Sequence, residues 1–458
     1  MLSRLPGVVW PAVPSQQGLL LTGLLAQLEQ SQWLPVAAIE QAQMRQLTVL
    51  IEHAQRYSRF FAERLAGLRL DPGQQLRECL AAIPLMRRSD LQTRRADIDC
   101  AWLPPEHGKV ALNRSTGSTG EPVAVRRTEL NNLLWMVMTL REHLWQQRDF
   151  SQSLAIIRVQ LAEEDTARRG ISSRDWGAPV NQLFASGPSH ALNLQTDIQR
   201  QAEWLRQIMP GYLLTYPNNL SALLDLAEAD PDRLAGLGRL KQVRSIGETL
   251  HDSVRERCRR VLGVGIADLY STQEVGVIAA ECPQAGGYHV MAEGLVIELL
   301  RDDDQPCAAG EMGRVIVTDL HSFATPLIRY DLGDLAVADG PCPCGRGLPK
   351  MRRILGRQRS LLRLPDGRRY WPLVGSLGYR DIAPVRQCQI IQRSLERVTL
   401  RLATERPLSV AEENGLAARL VEFLGHRFAV DFDYCTPGIP RGPGGKFEDF
   451  VCEIKPGD

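Results

Sequence analysis

Ser115-Thr116-Gly117-Ser118-Thr119-Gly120 packs four hydroxyls and two glycines into six residues. Such a run makes a turn whose amides and hydroxyls can wrap a polyphosphate. It is not a Walker loop, because no Gly-x-x-x-x-Gly-Lys accompanies it, and taken alone it reads equally well as a surface linker. A second constellation is Cys282, His289, Cys342 and Cys344. Three thiols and one imidazole are the usual donor set of a closed, tetrahedral structural zinc site. The spacing is irregular, so buried or reactive cysteines near a surface histidine are the competing reading. Pro341–Arg346 is nonetheless a turn-rich knuckle, an odd place for inert core thiols. Cys79, Cys100, Cys258, Cys307, Cys388, Cys435 and Cys452 lack such company and read as structural.

The elements that must hold these residues follow from periodicity. A chain of 458 residues, 44% hydrophobic and 23% charged, can bury a substantial core. Net charge is +1 with basic residues spread throughout, which argues against a dedicated nucleic-acid binder. The apolar run Gly18–Ala26 is too short to span a bilayer, and only Arg4 precedes it where a signal peptide would be basic. A cytoplasmic location without membrane attachment is the expectation. Apolar residues at helical spacing predict an amphipathic helix over Ala37–Leu68 and further helices at Glu129–Trp145, Asp197–Met209, Leu220–Ala229 and Leu250–Val261. Between them lie strand-like runs at Leu154–Val159, Tyr212–Tyr216, Gln242–Ile246 and Ile266–Tyr270, an alternation that predicts an α/β fold with a largely parallel sheet. From Gly294 the texture turns β-rich: Gly294–Leu300 and Gly313–Leu320 flank the acidic turn Asp302–Asp304, as in a hairpin or a small barrel-like subdomain. Beyond Gly356 a small α+β unit is expected, from strands at Gln389–Ile391, Val398–Leu402 and Ala429–Tyr434 and a helix at Ser409–Leu424. These patterns divide the chain into 1–355 and 356–458, with the boundary near Gly356–Arg359.

Five segments in order carry a family resemblance. Ser115–Pro122 resembles the phosphate loop of the adenylate-forming superfamily, and Ser245-Ile-Gly-Glu-Thr-Leu250 is similar to its Gly-Glu-Pro-Leu segment. Tyr270-Ser-Thr-Gln-Glu274 looks like its Tyr-Gly-x-Thr-Glu motif, Arg329-Tyr-Asp-Leu-Gly-Asp334 like Tyr-x-Thr-Gly-Asp, and Gly444-Gly445-Lys446 like its C-terminal Gly-Lys. Within the superfamily the chain resembles phenylacetate–CoA ligase-like and coenzyme F390 synthetase-like proteins. The evidence is Glu281-Cys282, His289, Pro341–Arg346, the short C-terminal unit, and the helix Gln43–Leu65 with Tyr57, Phe60 and Phe61. The sequence departs from the pattern at Val123, where a lysine is frequent, at Ser271 and Gln273, and at Gln358-Arg359 in the hinge.

The resemblance implies ATP-dependent activation of an aryl or small carboxylic acid as acyl-AMP, with pyrophosphate released and the acyl group then passed to CoA or another thiol. Attack of a carboxylate on a phosphate brings anions together, so charge neutralisation dominates catalysis. On this basis Glu274 would hold Mg²⁺, and Lys446 would cover the acyl-phosphate oxygens. Ser115, Thr116, Gly117, Ser118, Thr119 and Gly120 would bind phosphate; Gly247 and Glu248 would lie against adenine, with Tyr270 and Ser271. Asp334 would accept from the ribose hydroxyls and Arg357 would contact ribose or phosphate. The resemblance also supports the Cys₃His zinc quartet. By position the acyl pocket should draw on Phe184–Gly187, Tyr216-Pro217 and Ser245–Gly247. The competing readings are adenylylation of a hydroxyl, transfer to a carrier protein or an amine, and a zinc-stabilised binding protein without catalysis. The acid and the oligomeric state, a homodimer included, stay open.

Overall fold

The computed structural model describes residues 1–71, 73–115, 122–159, 170–234, 237–357, 361–370, 372, 374, 377–436, 438–440 and 447–454. The loop calls Thr116 to Gly120, the hinge residues Gln358 and Arg359, and Lys446 therefore lie outside the described residues.

A hairpin of β1 (Val110–Arg114) and β2 (Ala124–Thr128) frames the hydroxyl-rich loop, pairing Arg114 with Ala124 at its mouth. The strands that follow are β3 (Leu154–Arg158), β4 (Ile171–Ser173), β5 (Ser189–Asn193), β6 (Tyr212–Thr215), β7 (Gln242–Ile246), β8 (Gly265–Thr272) and β9 (Gly276–Glu281). Then come β10 (Tyr288–Val290), β11 (Leu295–Leu300), β12 (Met312–Asp319), β13 (Tyr330–Ala338) and β14 (Lys350–Arg357). From β3 to β14 they form one sheet in the order β11-β12-β13-β14-β10-β9-β8-β7-β6-β3-β5-β4. The run β5-β3-β6-β7-β8 is parallel. Every pairing from β8 to β11 is antiparallel. The parallel and β-rich regions read from the sequence are thus two halves of one mixed sheet, and Asp302–Asp304 is the turn of the β11–β12 hairpin.

Parallel strands are covered on both faces, so their alternate residues feed two cores. In β3, Leu154 joins the layer of Leu47, Leu50, Phe60 and Val137, whereas Ala155 and Ile157 join Leu205, Leu224 and Val243. The helices Ile198–Ile208, Pro217–Ala229 and Asp252–Leu262 supply the second core. Helix Glu129–Trp145 covers the other face, and it starts where expected because Thr128 and Asn131 form a reciprocal capping box. The helix expected over Ala37–Leu68 is two helices, Val36–Tyr57 and Arg59–Arg64. Ser58 between them is extended, and its hydroxyl accepts from the Phe61 amide. The run at Gly18–Ala26 belongs to a further helix, Gln16–Ser31, capped by Ser15. No helix among the described residues is long and apolar enough to cross a membrane.

After β14 a short ribbon, β15 (Leu362–Arg363) and β16 (Arg369–Tyr370), precedes β17 (Val385–Gln392), β18 (Arg397–Thr404), β19 (Ala429–Tyr434) and β20 (Phe450–Cys452). The last four form a separate sheet, β19-β18-β17-β20. Helix Val410–Leu424, capped by Ser409 and Glu412, carries the chain between the parallel strands β18 and β19. Leu362, Ile390, Leu400, Leu416 and Phe450 share its core.

One buried charge cluster fixes helix Glu129–Trp145 to β7. Glu142 meets Arg148 at 2.7 Å and Arg244 of β7 at 3.0 Å. Burial works to raise the Glu142 pKa, but the two guanidiniums outweigh it and hold the carboxyl at about 2. Glu142→Ala strands two buried cations, and removing one partner of such a network costs about 3–5 kcal/mol. A correspondingly lower urea midpoint at pH 7 is expected; an unchanged midpoint would contradict this account of the joint.

Candidate active site

Ligands of open α/β sheets collect at the carboxyl ends of parallel strands, where the chain direction of neighbours changes. Here that place lies beyond β6, β7 and β8. A cleft there is lined by Asn218 after β6, Gly247 and Glu248 after β7, and Asp268, Tyr270, Ser271 and Glu274 of the β8–β9 hairpin. Asp334 of β13, Arg357 of β14, Ser115 and the segment Phe447–Phe450 complete its wall. Gly247 makes the turn out of β7 with φ +77°, a conformation suited to glycine.

The two sides of the cleft are tied together. The Tyr270 hydroxyl donates to Asp334 Oδ2 at 2.6 Å. Arg357, directly opposite Asp334 in the β13–β14 register, reaches Asp334 Oδ1 at 3.2 Å and donates to the Leu332 carbonyl at 2.9 Å. β8 and β13 are four strand positions apart, about 19 Å in a flat sheet at about 4.8 Å per step. A 2.6 Å contact therefore requires the sheet to curl over the cleft. Burial, then the Asp334 charge, pushes the Tyr270 phenol well above its ordinary pKa, so it stays a donor. Arg357 is raised first by the Asp334 charge, which keeps it cationic.

Glu274 sits at the tip of the β8–β9 hairpin. Thr272 accepts from the Val275 amide at 3.2 Å inside this turn, and Gly276 closes it with φ +100°. Arg127 donates to the Glu274 carbonyl at 2.7 Å. The Glu274 carboxylate is 3.5 Å from Arg88 Nη1, while Arg88 Nη2 lies 3.3 Å from the Ser115 hydroxyl. Ser115 holds the neck of its loop: its amide donates to the Val123 carbonyl at 2.9 Å and its hydroxyl accepts from the Val123 amide at 3.0 Å. Glu248 is engaged through its side chain, accepting from Asn218 at 3.1 Å and from the Phe447 amide at 2.9 Å.

Ser115, Gly247, Glu248, Tyr270, Ser271, Glu274, Asp334 and Arg357 thus meet in one cleft. Phe184–Gly187 does not join them. Phe184 packs on Phe150 with ring centroids 5.1 Å apart, and the Gly187 amide bonds the Phe150 carbonyl. That segment feeds the start of β5, at the opposite end of the sheet from the cleft. Arg88, Asp268, His251 and Asp449 escaped sequence reasoning. Asp268 accepts from the Tyr288 hydroxyl at 2.7 Å, and burial raises its pKa. An acidic residue two positions before Tyr270 was the available signal; an arginine opening a helix offers none.

The cysteine–histidine quartet also assembles. The ligand atoms of Cys282, His289, Cys342 and Cys344 all lie within 4.8 Å of one another. Cys342 and Cys282 sulfurs are 3.8 Å apart, and His289 Nε2 is 3.3 Å from Cys344 Sγ. The other ring nitrogen, Nδ1, faces the Leu348 carbonyl at 3.4 Å. Burial depresses the His289 imidazole to about 4, so it is neutral at pH 7.

No protein-family model matches the chain. Among characterised proteins, the phenylacetate–coenzyme A ligase of Thermus thermophilus is 23% identical over 347 residues, covering 72% of each chain. That of Escherichia coli is 25% identical over 343 residues, covering 71% of this chain and 73% of its own. Among solved structures, 2-hydroxyisobutyryl-CoA ligase in its postadenylation state superposes with a TM-score of 0.71 at 18% identity, covering 93% of this chain and 92% of that one. In sequence the chain resembles the phenylacetate–coenzyme A ligases, and it shares the fold of 2-hydroxyisobutyryl-CoA ligase. The same ligase in its thioesterification state superposes less well, with a TM-score of 0.58.

Tyr270→Phe removes the donor that joins the two halves of the cleft. A hydrogen bond to a charged group contributes about 1.5–3 kcal/mol, so a loss of that size is expected in denaturant titration, with the far-UV spectrum unchanged. A loss below about 0.5 kcal/mol would mean that Arg357 alone suffices to hold Asp334.

Proposed function

We propose that this chain activates a carboxylic acid with ATP, forming an acyl-AMP and pyrophosphate, and passes the acyl group to CoA or another thiol. The observation that carries this reading is the Tyr270–Asp334–Arg357 cluster facing Glu274 and the Ser115 loop neck across one cleft. The two ends suit the two ends of a nucleotide. Asp334 keeps acceptor capacity beyond Tyr270 and Arg357, since a carboxylate offers about four lone-pair sites, and would take the ribose hydroxyls. Tyr270 and the Gly247–Glu248 turn would flank adenine.

At the other end the hydroxyl loop and Arg88 would receive the phosphates. Glu274 accepts from Arg88 at 3.5 Å and, as a carboxylate, keeps further lone pairs for a hard cation, so that Glu274 would hold Mg²⁺ there. When bound, the ion neutralises phosphate charge and favours the departure of pyrophosphate. Lys446 would bring a further cation to the acyl-phosphate oxygens. Residues 356–458 would be a mobile unit turning near Gly356–Arg359, so that one cleft serves both half-reactions.

ATP–pyrophosphate exchange over a panel of aryl and short-chain acids tests this. Exchange with at least one acid is expected, falling about 100-fold or more in Lys446→Ala and Glu274→Gln, as when one transition-state charge donor is removed. No acid above the Lys446→Ala level would sink the reading. AMP-ester formed without thiol consumption would transfer it to hydroxyl adenylylation.

The quartet Cys282, His289, Cys342 and Cys344 would hold a structural Zn²⁺. The donor atoms already converge, and the Leu348 carbonyl orients the imidazole so that Nε2 faces the thiols. About one zinc per chain by elemental analysis is expected, with Cys342→Ser losing both metal and thermal stability. Metal-free protein with an unchanged melting temperature would refute the site.

A further inference from the structure

The segment that enters the cleft from the C-terminal sheet is held at two points. The Phe447 amide donates to Glu248 Oε1 at 2.9 Å, and Asp449 Oδ2 lies 2.7 Å from His251 Nε2. His251 is the residue just before helix Asp252–Leu262, and both partners of the pair are largely shielded, at 16% and 21% exposure. A second tie lies farther out, where Arg380 reaches Asp225 of helix Pro217–Ala229 at 2.6 Å and 2.9 Å. Glu248 is also held by Asn218 in the first turn of helix Pro217–Ala229, and the adjacent Thr249 hydroxyl bonds the Leu355 carbonyl of β14 at 3.1 Å.

Lys446 directly precedes Phe447, and consecutive Cα atoms are about 3.8 Å apart. Fixing the Phe447 amide and the Asp449 side chain therefore holds the chain that follows Lys446 in the wall of the cleft. We infer that His251 is a positioning residue for adenylation, latching Asp449 so that the chain leaving Lys446 is set against the cleft. It rests on the ligase reading for what Lys446 does.

The charges around the latch make it sensitive to pH. Burial alone would depress the His251 imidazole; the Asp449 charge and hydrogen bond, with Asp252 on its own helix, outweigh that and raise its pKa. Asp252 is itself paired with Arg353 of β14, and the Cys388 thiol of β17 lies near Asp449. A group whose pKa is raised in the docked state stabilises docking fully below its free value, about 6.5 for histidine, and loses that contribution as pH rises through the raised value.

Hydrogen–deuterium exchange of the peptide spanning Phe447–Cys452, read at several pH values after correction for intrinsic rates, tests the latch without any substrate. In the wild type, protection should fall as pH rises above about 6.5. In His251→Ala it should be lower by about tenfold at pH 6.5, and in His251→Gln, which keeps a donor without the charge, it should be partial and independent of pH. Pyrophosphate exchange with the acid that the panel identifies should then show a roughly tenfold lower kcat with KM for ATP unchanged. Asp449→Asn removes the charge from the other side and should reproduce the flat pH response if His251→Ala does not fold. Wild-type protection in the folded variants, or lost protection with undiminished kcat, would overturn the inference. Should no acid support exchange in the wild type, the ligase reading fails, and the pH dependence of protection still decides the latch.

Discussion

The hydrogen bond between Tyr270 and Asp334 sets the shape of the half of this molecule that carries the cleft. Its partners belong to strands four positions apart, which a flat sheet would hold far from each other. Strand β10 explains how they meet. It has three residues, and only Tyr288 and His289 pair with β14, against Met351 and Lys350. Beyond that junction β14 runs on to Arg357 without β10 beside it, so it can bend toward the ends of β7 and β8. There the Thr249 hydroxyl takes the Leu355 carbonyl and Tyr270 takes Asp334. A longer β10 would extend the ladder and flatten the sheet, and the cleft would not close.

The same shortness makes the junction weak, since a two-residue pairing contributes few ladder hydrogen bonds. The cysteine–histidine quartet lies at this joint. Cys282 follows β9, His289 is on β10, and Cys342 and Cys344 lie in the connection between β13 and β14. A metal at that position would link the strands on both sides of the narrow point. On the ligase reading its value is mechanical: it would hold the hinge of the curl without touching the nucleotide.

How much of this was legible in the sequence depends on whether a residue acts locally. Helix Glu129–Trp145 was readable to its ends because Thr128 and Asn131 write its cap within four residues. Tyr270, Glu274 and Asp334 could be singled out because their motifs keep order along the chain, and Arg357 by its place at the expected boundary, although nothing in that order says that Asp334 is clasped by Tyr270 and Arg357. Arg88, His251 and Asp449 carry no such mark, because each matters only through a partner distant in sequence: Glu274 for Arg88, and each other for the last two. The Phe184–Gly187 expectation failed for a related reason. Small and aromatic residues before a strand look the same at either end of a parallel sheet, and only the direction of β5 shows that these lie away from the cleft.

On the ligase reading Asp334 serves two demands that pull in different directions. As the acceptor for Tyr270 and the counter-ion of Arg357 it must be fixed, and burial between them fixes it. As the proposed ribose acceptor it would still need lone pairs facing the cleft. A carboxylate can meet both demands because each oxygen accepts more than one hydrogen bond, whereas an asparagine would spend one position as a donor and oppose Arg357. The fold and the proposed chemistry therefore constrain the same side chain. The group that curls the sheet is already oriented, at no further cost in side-chain freedom, when a nucleotide arrives.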